Sequence, residues 1–351
     1  MNISMQRAII GWDIGGAHLK AAIVTKQGLI EQVFLEACPL WQGMSQLEQA
    51  VQSILSQLPL SNYLHVITMT GELVDCFDNR DQGVSSIIAT MQKLLAGQDL
   101  AVYAGMRGFL SPADISPQEY LYIASANWLA SASLAARQVG EGLFIDIGST
   151  TTDLLLLNHH QVNTQAYTDY QRLVSGELIY TGIVRTAIMA ITQSAEFKGV
   201  QLGLMAEYFA TMADVYRLTG DLNEAHDHTA TADGHEKTSL RSAIRLSRMI
   251  AYEFNQQDWN DWLAFAHHLK NLQKQRVLAG ITKRLSQTNS ISSPKLIGAG
   301  IGRFLVKEIA TEQGYAYQDF AEMLPQTNGL TIDANDCAPA VAVAYLAGGF
   351  C

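Results

Sequence analysis

Cysteine is scarce in this chain. The four present, Cys38, Cys76, Cys337 and Cys351, are scattered and form no Cys-x-x-Cys pair. That pattern argues against a zinc site or a disulfide framework and fits a reducing cytoplasm. Basic runs are also missing, since 23 Lys and Arg stand against 33 Asp and Glu, a formal net charge of −10. Nucleic-acid surfaces cluster Lys and Arg against phosphates, so no nucleic-acid partner is expected. No apolar run approaches the roughly 20 residues of a membrane span. The short apolar stretch at 8–10 meets Asp13 too soon for a signal peptide, so neither a membrane nor a secretory route is expected. What is present is a 48% hydrophobic, 16% charged composition typical of globular proteins. Its 351 residues suffice for two lobes.

Three strand-like stretches open the chain, at 8–12, 19–25 and 29–35, with Gly15-Gly16 turning the first into the second. Helical spacing follows at 44–58 and 84–95, a short buried strand at 65–68, and a long helix rich in small residues over 119–137. At Leu143 the opening pattern returns. Phe144-Ile145-Asp146-Ile147-Gly148 resembles Gly11-Trp12-Asp13-Ile14-Gly15, and a charged residue stands seven positions past each aspartate, Lys20 and Asp153. Such a repeat predicts two related lobes, 1–138 and 139–351. The second is expected to hold a helical insertion over about 176–290, with amphipathic segments at 204–218, 239–254 and 259–285 around a polar loop at 221–237. A strand running into a glycine turn over 294–302, a helix over 303–310 and a closing helix over 338–346 complete it.

The chemistry-bearing residues fall in the turns. In Asp13-Ile14-Gly15-Gly16-Ala17-His18-Leu19-Lys20, glycines let backbone N–H groups face an anion and Lys20 adds positive charge. Asp13 is placed for a hydrated Mg²⁺, which takes one or two carboxylates plus phosphate oxygens. A plain Gly-Gly hairpin is the competing reading. In Asp146-Ile147-Gly148-Ser149-Thr150-Thr151-Thr152-Asp153, one glycine and four hydroxyl residues offer many donors in one turn. Asp146 is the matching metal candidate. The third element, Gly298-Ala299-Gly300-Ile301-Gly302, lies between a strand and a helix and lacks both the P-loop lysine and the ribose acid of a dinucleotide site. Contact with an adenosine and close packing of strand on helix are both open for it.

The order of these three turns is similar to the actin/sugar-kinase/Hsp70 superfamily, an α/β fold of two ribonuclease H-like lobes with a cleft between them. The wording is closer still to the hydantoinase/oxoprolinase-like proteins linked to tetrahydromethanopterin-dependent one-carbon transfer. Thr70-Gly71-Glu72-Leu73-Val74-Asp75, Ser125-Ala126-Asn127-Trp128, Gly176-Glu177-Leu178-Ile179-Tyr180-Thr181-Gly182 and Asp214-Val215-Tyr216 carry that resemblance with the two aspartate turns. Ser175 stands where the family pattern has threonine, which keeps the hydroxyl. The resemblance implies a methanofuran-biosynthesis synthase that joins an aminomethylfuran-methyl diphosphate to the phenol of glutamyltyramine, releasing diphosphate. It also implies a place in one-carbon metabolism, with relatives in methylotrophic bacteria.

A phenol ionises near pH 10 and needs a base or a positive field to attack as phenolate. Glu72 is the candidate base, with a helix-first-turn acid as its alternative. Lys20, Mg²⁺ on Asp13 and Asp146, and the donors of Gly15, Gly16, Gly148, Ser149, Thr150 and Thr151 would meet the diphosphate. Arg80 and Arg185 are secondary candidates. Among the histidines, His226, His228 and His235 sit with Asp227 in a loop expected to be polar and mobile, His-x-His chelation being the alternative. His159-His160 reads as a hairpin tip, and Cys76 as a buried structural thiol. The expected partner is a small phosphorylated substrate, with room for a homo-oligomer. ATP is compatible but not required. An ATP-dependent kinase or oxoprolinase-type ATPase, and a non-catalytic nucleotide-binding regulator, are the alternative functions.

Overall fold

Strand β1 (Ile9–Ile14) is buried along its whole length, as a central strand covered on both faces must be. The computed structural model describes residues 7–59, 62–288 and 294–350, which leaves Cys351 outside. β1 pairs antiparallel with β2 (His18–Val24), which pairs with β3 (Ile30–Ala37). On its other side β1 runs parallel to β4 (Leu64–Met69), and β5 (Asp99–Tyr103) and β6 (Phe109–Leu110) complete the order β3-β2-β1-β4-β5-β6. Helix α1 (Met44–Gln57) buries Leu47, Ala50, Val51 and Ile54, the i, i+3, i+4, i+7 stripe of an amphipathic helix. Helix α2 (Arg80–Leu94) is capped by Asn79, whose side chain accepts from the Gln82 amide at 2.9 Å. Both cover the face that carries Ile10, Trp12 and Ile14.

The second half repeats this plan. Before it come α3 (Tyr120–Ile123) and α4 (Asn127–Val139); then β7 (Gly142–Ile147), β8 (Thr152–Asn158), β9 (Gln161–Val162), α5 (Asp169–Ser175) and β10 (Leu178–Ile179). A hairpin of β11 (Ser194–Phe197) and β12 (Val200–Gly203) precedes α6 (Met212–Thr219), α7 (Ser239–Arg248) and α8 (Trp259–Leu285). β13 (Lys295–Ala299), α9 (Arg303–Gln313), β14 (Ala316–Asp319) and α10 (Ala338–Gly348) follow. The sheet order β10-β8-β7-β13-β14 has β7 antiparallel to β8 and parallel to β13, as β1 is to β2 and β4. The register repeats as well: Asp13 faces Lys20 across one hairpin, and Asp146 faces Asp153 across the other. The repeat read in the sequence is therefore a repeat of structure.

Helices α4 and α10 lie between the two sheets and share one apolar core with Val66 and Phe144. The closing helix α10 packs on β1, β2 and β4, although it follows the second sheet in sequence. A Cβ on Gly11 would lie 1.9 Å from the Ala340 carbonyl oxygen, so only glycine permits that approach. Three expected helices are altered. The segment 119–137 is broken at Ser125, whose φ is 50°. In 204–218 only the part from Met212 is helical, starting at a Thr211–Asp214 capping box. The segment expected over 239–254 ends at Arg248. The insertion also includes the β11–β12 hairpin besides its helices.

Candidate functional site

Each aspartate turn is a closed hairpin. The Gly15 amide donates to the His18 carbonyl at 3.0 Å, and the Gly148 amide to the Thr151 carbonyl at 2.9 Å. The amides of Gly16, Ala17, Ser149, Thr150 and Thr151 have no intramolecular acceptor among the described residues. The two turns line one cleft of ≈ 660 Å³, so unused donors from both lobes face a common space, a nest suited to an anion. The segment after β10 braces the second turn. The Val184 and Arg185 amides both donate to the Ser149 carbonyl, at 3.0 and 2.9 Å, and a Cβ on Gly182 would lie 2.5 Å from the Thr150 nitrogen. Arg185 thereby reaches the cleft, and its guanidinium has no partner among the described residues.

Near these donors Asp13 is buried and Asp146 and Asp153 are half-buried. Lys20 Nζ stands 3.8 Å from Asp13 Oδ2, and Asn127 Nδ2 donates to Asp13 Oδ1 at 3.3 Å. Burial raises the Asp13 pKa, opposed by Lys20 and Asn127. Burial also opposes the charge on Lys20, yet the surrounding carboxylates of Asp13, Asp146 and Asp336 raise its pKa on balance. Asp146 is pushed up to about 7 by burial and by Asp153, despite Lys20. Its carboxylate has no hydrogen-bond partner among the described residues. Asp153, the repeat's counterpart of Lys20, is ion-paired with Arg172, whose guanidinium lies 4.2 Å over the Trp128 ring.

Glu72 is only 1% exposed, and its carboxylate lies behind the cleft wall. Oε1 accepts from Ser125 Oγ at 2.6 Å, and Oε2 is buried without a partner. The helix-breaking Ser125 and the first residue of α4, Asn127, thus hold Glu72 and Asp13. Both line the cleft. Both lie in the Ser125–Trp128 family string, in which no pattern assigns either a role. Burial raises the Glu72 pKa, with the Ser125 bond opposing it.

The other candidates separate. Gly298, Gly300 and Gly302 are filled by packing: added Cβ atoms would lie 2.7 Å from Tyr317 Oη, 2.2 Å from Asp146 Oδ1 and 2.5 Å from Ile147 Cγ2. Arg80 starts α2 and does not line the cleft, although its charge reaches Glu72. The histidine loop is pinned rather than free, because Asp227 is ion-paired with Arg217 at 2.6 Å and His226 Nε2 lies 2.7 Å from Asp336. The His228 ring rests 4.7 Å from that of His18. Among the described residues no three metal-binding side chains cluster. Cys76 is exposed rather than buried, its thiol donating to the Leu40 carbonyl at 3.3 Å. His159 and His160 do form a hairpin tip, with φ of 50° and 61°.

Trp41 and Tyr180, 50% and 62% exposed, line the cleft with Leu73, Val74 and Leu178. Neither ring belongs to an amphipathic stripe; Tyr180 lies in the Gly176–Gly182 family string without an assigned role, and Trp41 lies in none of the family strings. Beyond Lys20 and Ser149, a neck of ≈ 120 Å³ that includes Asp146 and Gly300 shares His226, His228 and Asp336 with a chamber of ≈ 870 Å³ beside Arg303 and Asp319.

The sequence profile of the hydantoinase/oxoprolinase family matches residues 64–321. The chain belongs to that family. A relative from Methanocaldococcus jannaschii, named as the synthase of a (gamma-glutamylaminoethyl)phenoxymethyl-furanyl methanamine, is 28% identical over 76% of this chain and 78% of its own. A Methanococcus vannielii protein of the same name is 25% identical over 48% of this chain and 75% of its own. Among solved structures, a nucleotide-free acetone carboxylase superposes with a TM-score of 0.53 at 11% identity, covering 97% of this chain and 70% of that one. The fold of this family member is the two-lobed actin/sugar-kinase/Hsp70 architecture. Among the described residues no helix is long and apolar enough to cross a membrane.

Proposed function

We propose that this protein is a transferase of methanofuran-type cofactor biosynthesis, joining an aminomethylfuran-methyl diphosphate to the phenol of a glutamyltyramine-like acceptor. Two relatives bear the name of the synthase whose product contains that aryl ether. The observation that carries the reading is a single cleft lined both by unpaired amides and cations and by exposed aromatic rings. Unpaired amides of both turns, Lys20 and Arg185 would meet the diphosphate, and Trp41 and Tyr180, which line the same cleft, would meet the rings. Donors preset around a leaving anion lower the barrier without reorganising when charge develops. Aromatic side chains supply apolar area and ring stacking at modest entropic cost.

In the reaction the phenol oxygen forms a bond to the furan methylene carbon while the carbon–oxygen bond to diphosphate breaks. The electron pair leaves with diphosphate, where the turn amides, the Ser149 and Thr150 hydroxyls and the two cations receive it. Asp13 and Asp146 fit a Mg²⁺, because Asp146 is a half-buried carboxylate at the neck without hydrogen-bond partners among the described residues, and Mg²⁺ takes few protein carboxylates plus phosphate oxygens. When bound, the ion would neutralise charge on the leaving diphosphate. Asn127 keeps Asp13 oriented for that duty.

A second reading, an ATP-dependent enzyme, is favoured by the ≈ 870 Å³ chamber joined to the cleft through the neck, a volume within the usual range for small ligands. In the third turn Gly298 and Gly302 are packed, while Gly300 lines the neck. Thermal shifts with inorganic diphosphate, ATP and ADP, each with and without Mg²⁺, separate the two. Diphosphate stabilisation that is lost in Lys20→Met, and ether product detected by mass spectrometry from the two substrates, support the synthase. Stabilisation by ATP followed by ADP release, without ether, replaces it with the second reading.

A further inference from the structure

We propose that Ser125 relays the acceptor's proton from the cleft to Glu72. The inference rests on the ether-forming reading and adds the route of its proton. Glu72 has no path of its own to the cleft. Its side chain is buried, Oε2 meets no partner, and Glu72 is not among the residues lining the cleft. What separates its carboxylate from the cleft is Ser125, which lines the cleft and donates its hydroxyl proton to Oε1 at 2.6 Å. The serine holds a φ of 50° between α3 and α4. Backbone of this kind in a residue other than glycine is strained and persists where surrounding contacts impose it. With neither glycine nor proline at the break, the bond to Glu72 is the contact that uses this geometry.

The proton balance closes. The phenol O–H bond breaks and its proton passes to Ser125 Oγ, while the serine's own proton passes to Glu72 Oε1. The phenolate oxygen bonds to the furan methylene, and diphosphate departs with the electron pair. Glu72 ends neutral and returns its proton to water through the same hydroxyl after product release. The charged groups acting on Glu72 are Arg80 of α2, which favours its ionised form, and Asp169 of α5, which opposes it. Burial outweighs both and favours the carboxyl that has received a proton.

The test compares wild type, Ser125→Ala, Ser125→Gly and Glu72→Gln over a series of ring-fluorinated glutamyltyramines of increasing phenol acidity. Glycine accepts the local φ, so Ser125→Gly reports on the hydroxyl rather than on strain. Expected is a loss of roughly 10²–10⁴ in kcat with the parent phenol, the usual span for a general base. That loss shrinks steadily as the phenol grows more acidic, while the thermal shift with inorganic diphosphate stays as in wild type. Wild-type kcat in Ser125→Gly, or an equal loss with every phenol, overturns the relay while leaving the synthase in place. Absence of ether from wild type with all phenols overturns the synthase reading, and the relay with it.

Discussion

Asn127 Nδ2 donates to Asp13 Oδ1 at 3.3 Å, tying the start of the helix between the sheets to the end of the first strand. Asn127 Oδ1 also accepts from the Trp128 amide at 2.7 Å, so the side chain is held at both ends. Hydrogen bonds to charged groups contribute about 1.5–3 kcal/mol. Asn127→Ala is therefore expected to lower kcat about tenfold or more and the melting temperature by a few °C. Steady-state kinetics beside calorimetry checks this, and a loss confined to stability would remove Asn127 from the site.

Arg172 is 3% exposed, is paired with Asp153 and lies over Trp128. Removing one member of such a pair strands the other charge, at a cost of about 3–5 kcal/mol. Arg172→Met should lose stability on that scale, and adding Asp153→Asn should restore much of it. Urea titration of the two variants decides, because independent sites would give additive losses.

His18 is held near a pKa of about 4, first by burial and then by His228 and the nearby cations. An unfolded histidine ionises near 6.5. The folded state thus binds fewer protons between these values, and the stability from a neutral His18 is present above pH 6.5 and lost as pH falls toward 4. Relative to wild type, His18→Gln is expected to gain a few °C in melting temperature on going from pH 7 to pH 4.5. A difference independent of pH would show that burial of this imidazole is not linked to protonation.

Trp41 and Tyr180 are proposed as the walls that hold the aromatic substrates. Trp41→Ala and Tyr180→Ala should each raise KM for the phenol about tenfold while leaving the diphosphate-induced thermal shift intact. Indole fluorescence offers a direct check: phenol binding should change the wild-type emission and leave that of Trp41→Ala nearly unaltered.

The paired hairpins were legible because strand alternation and glycine turns are local properties, and Asp13 and Asp146 fall where the repeat put them. The route from Glu72 to the cleft was not. The segment 119–137 has the composition of an unbroken helix, and its interruption at Ser125 answers to Glu72, far away in sequence. Aromatic walls were hidden for a similar reason, since the exposure of Trp41 and Tyr180 is decided by which surfaces the two lobes leave uncovered. The late start of α6 was within reach, because Thr211-x-x-Asp214 is a capping-box spacing. The third turn stays open to both of its readings: Gly298 and Gly302 pack against Tyr317 and Ile147, and Gly300 lines the neck beside Asp146.

The seat of α10 on β1 has a consequence for synthesis. The Gly11–Ala340 approach joins residues near opposite ends of the sequence. While the chain emerges N-terminus first, the face of the first sheet that receives α10 stays uncovered until residues 338–348 have been made. Domains ordinarily fold as units in the order of their synthesis; the first lobe must instead wait for the last helix. A nascent chain arrested before residue 338 should be held by chaperones and cut readily by proteases within the first sheet, and one arrested well beyond residue 348 should resist.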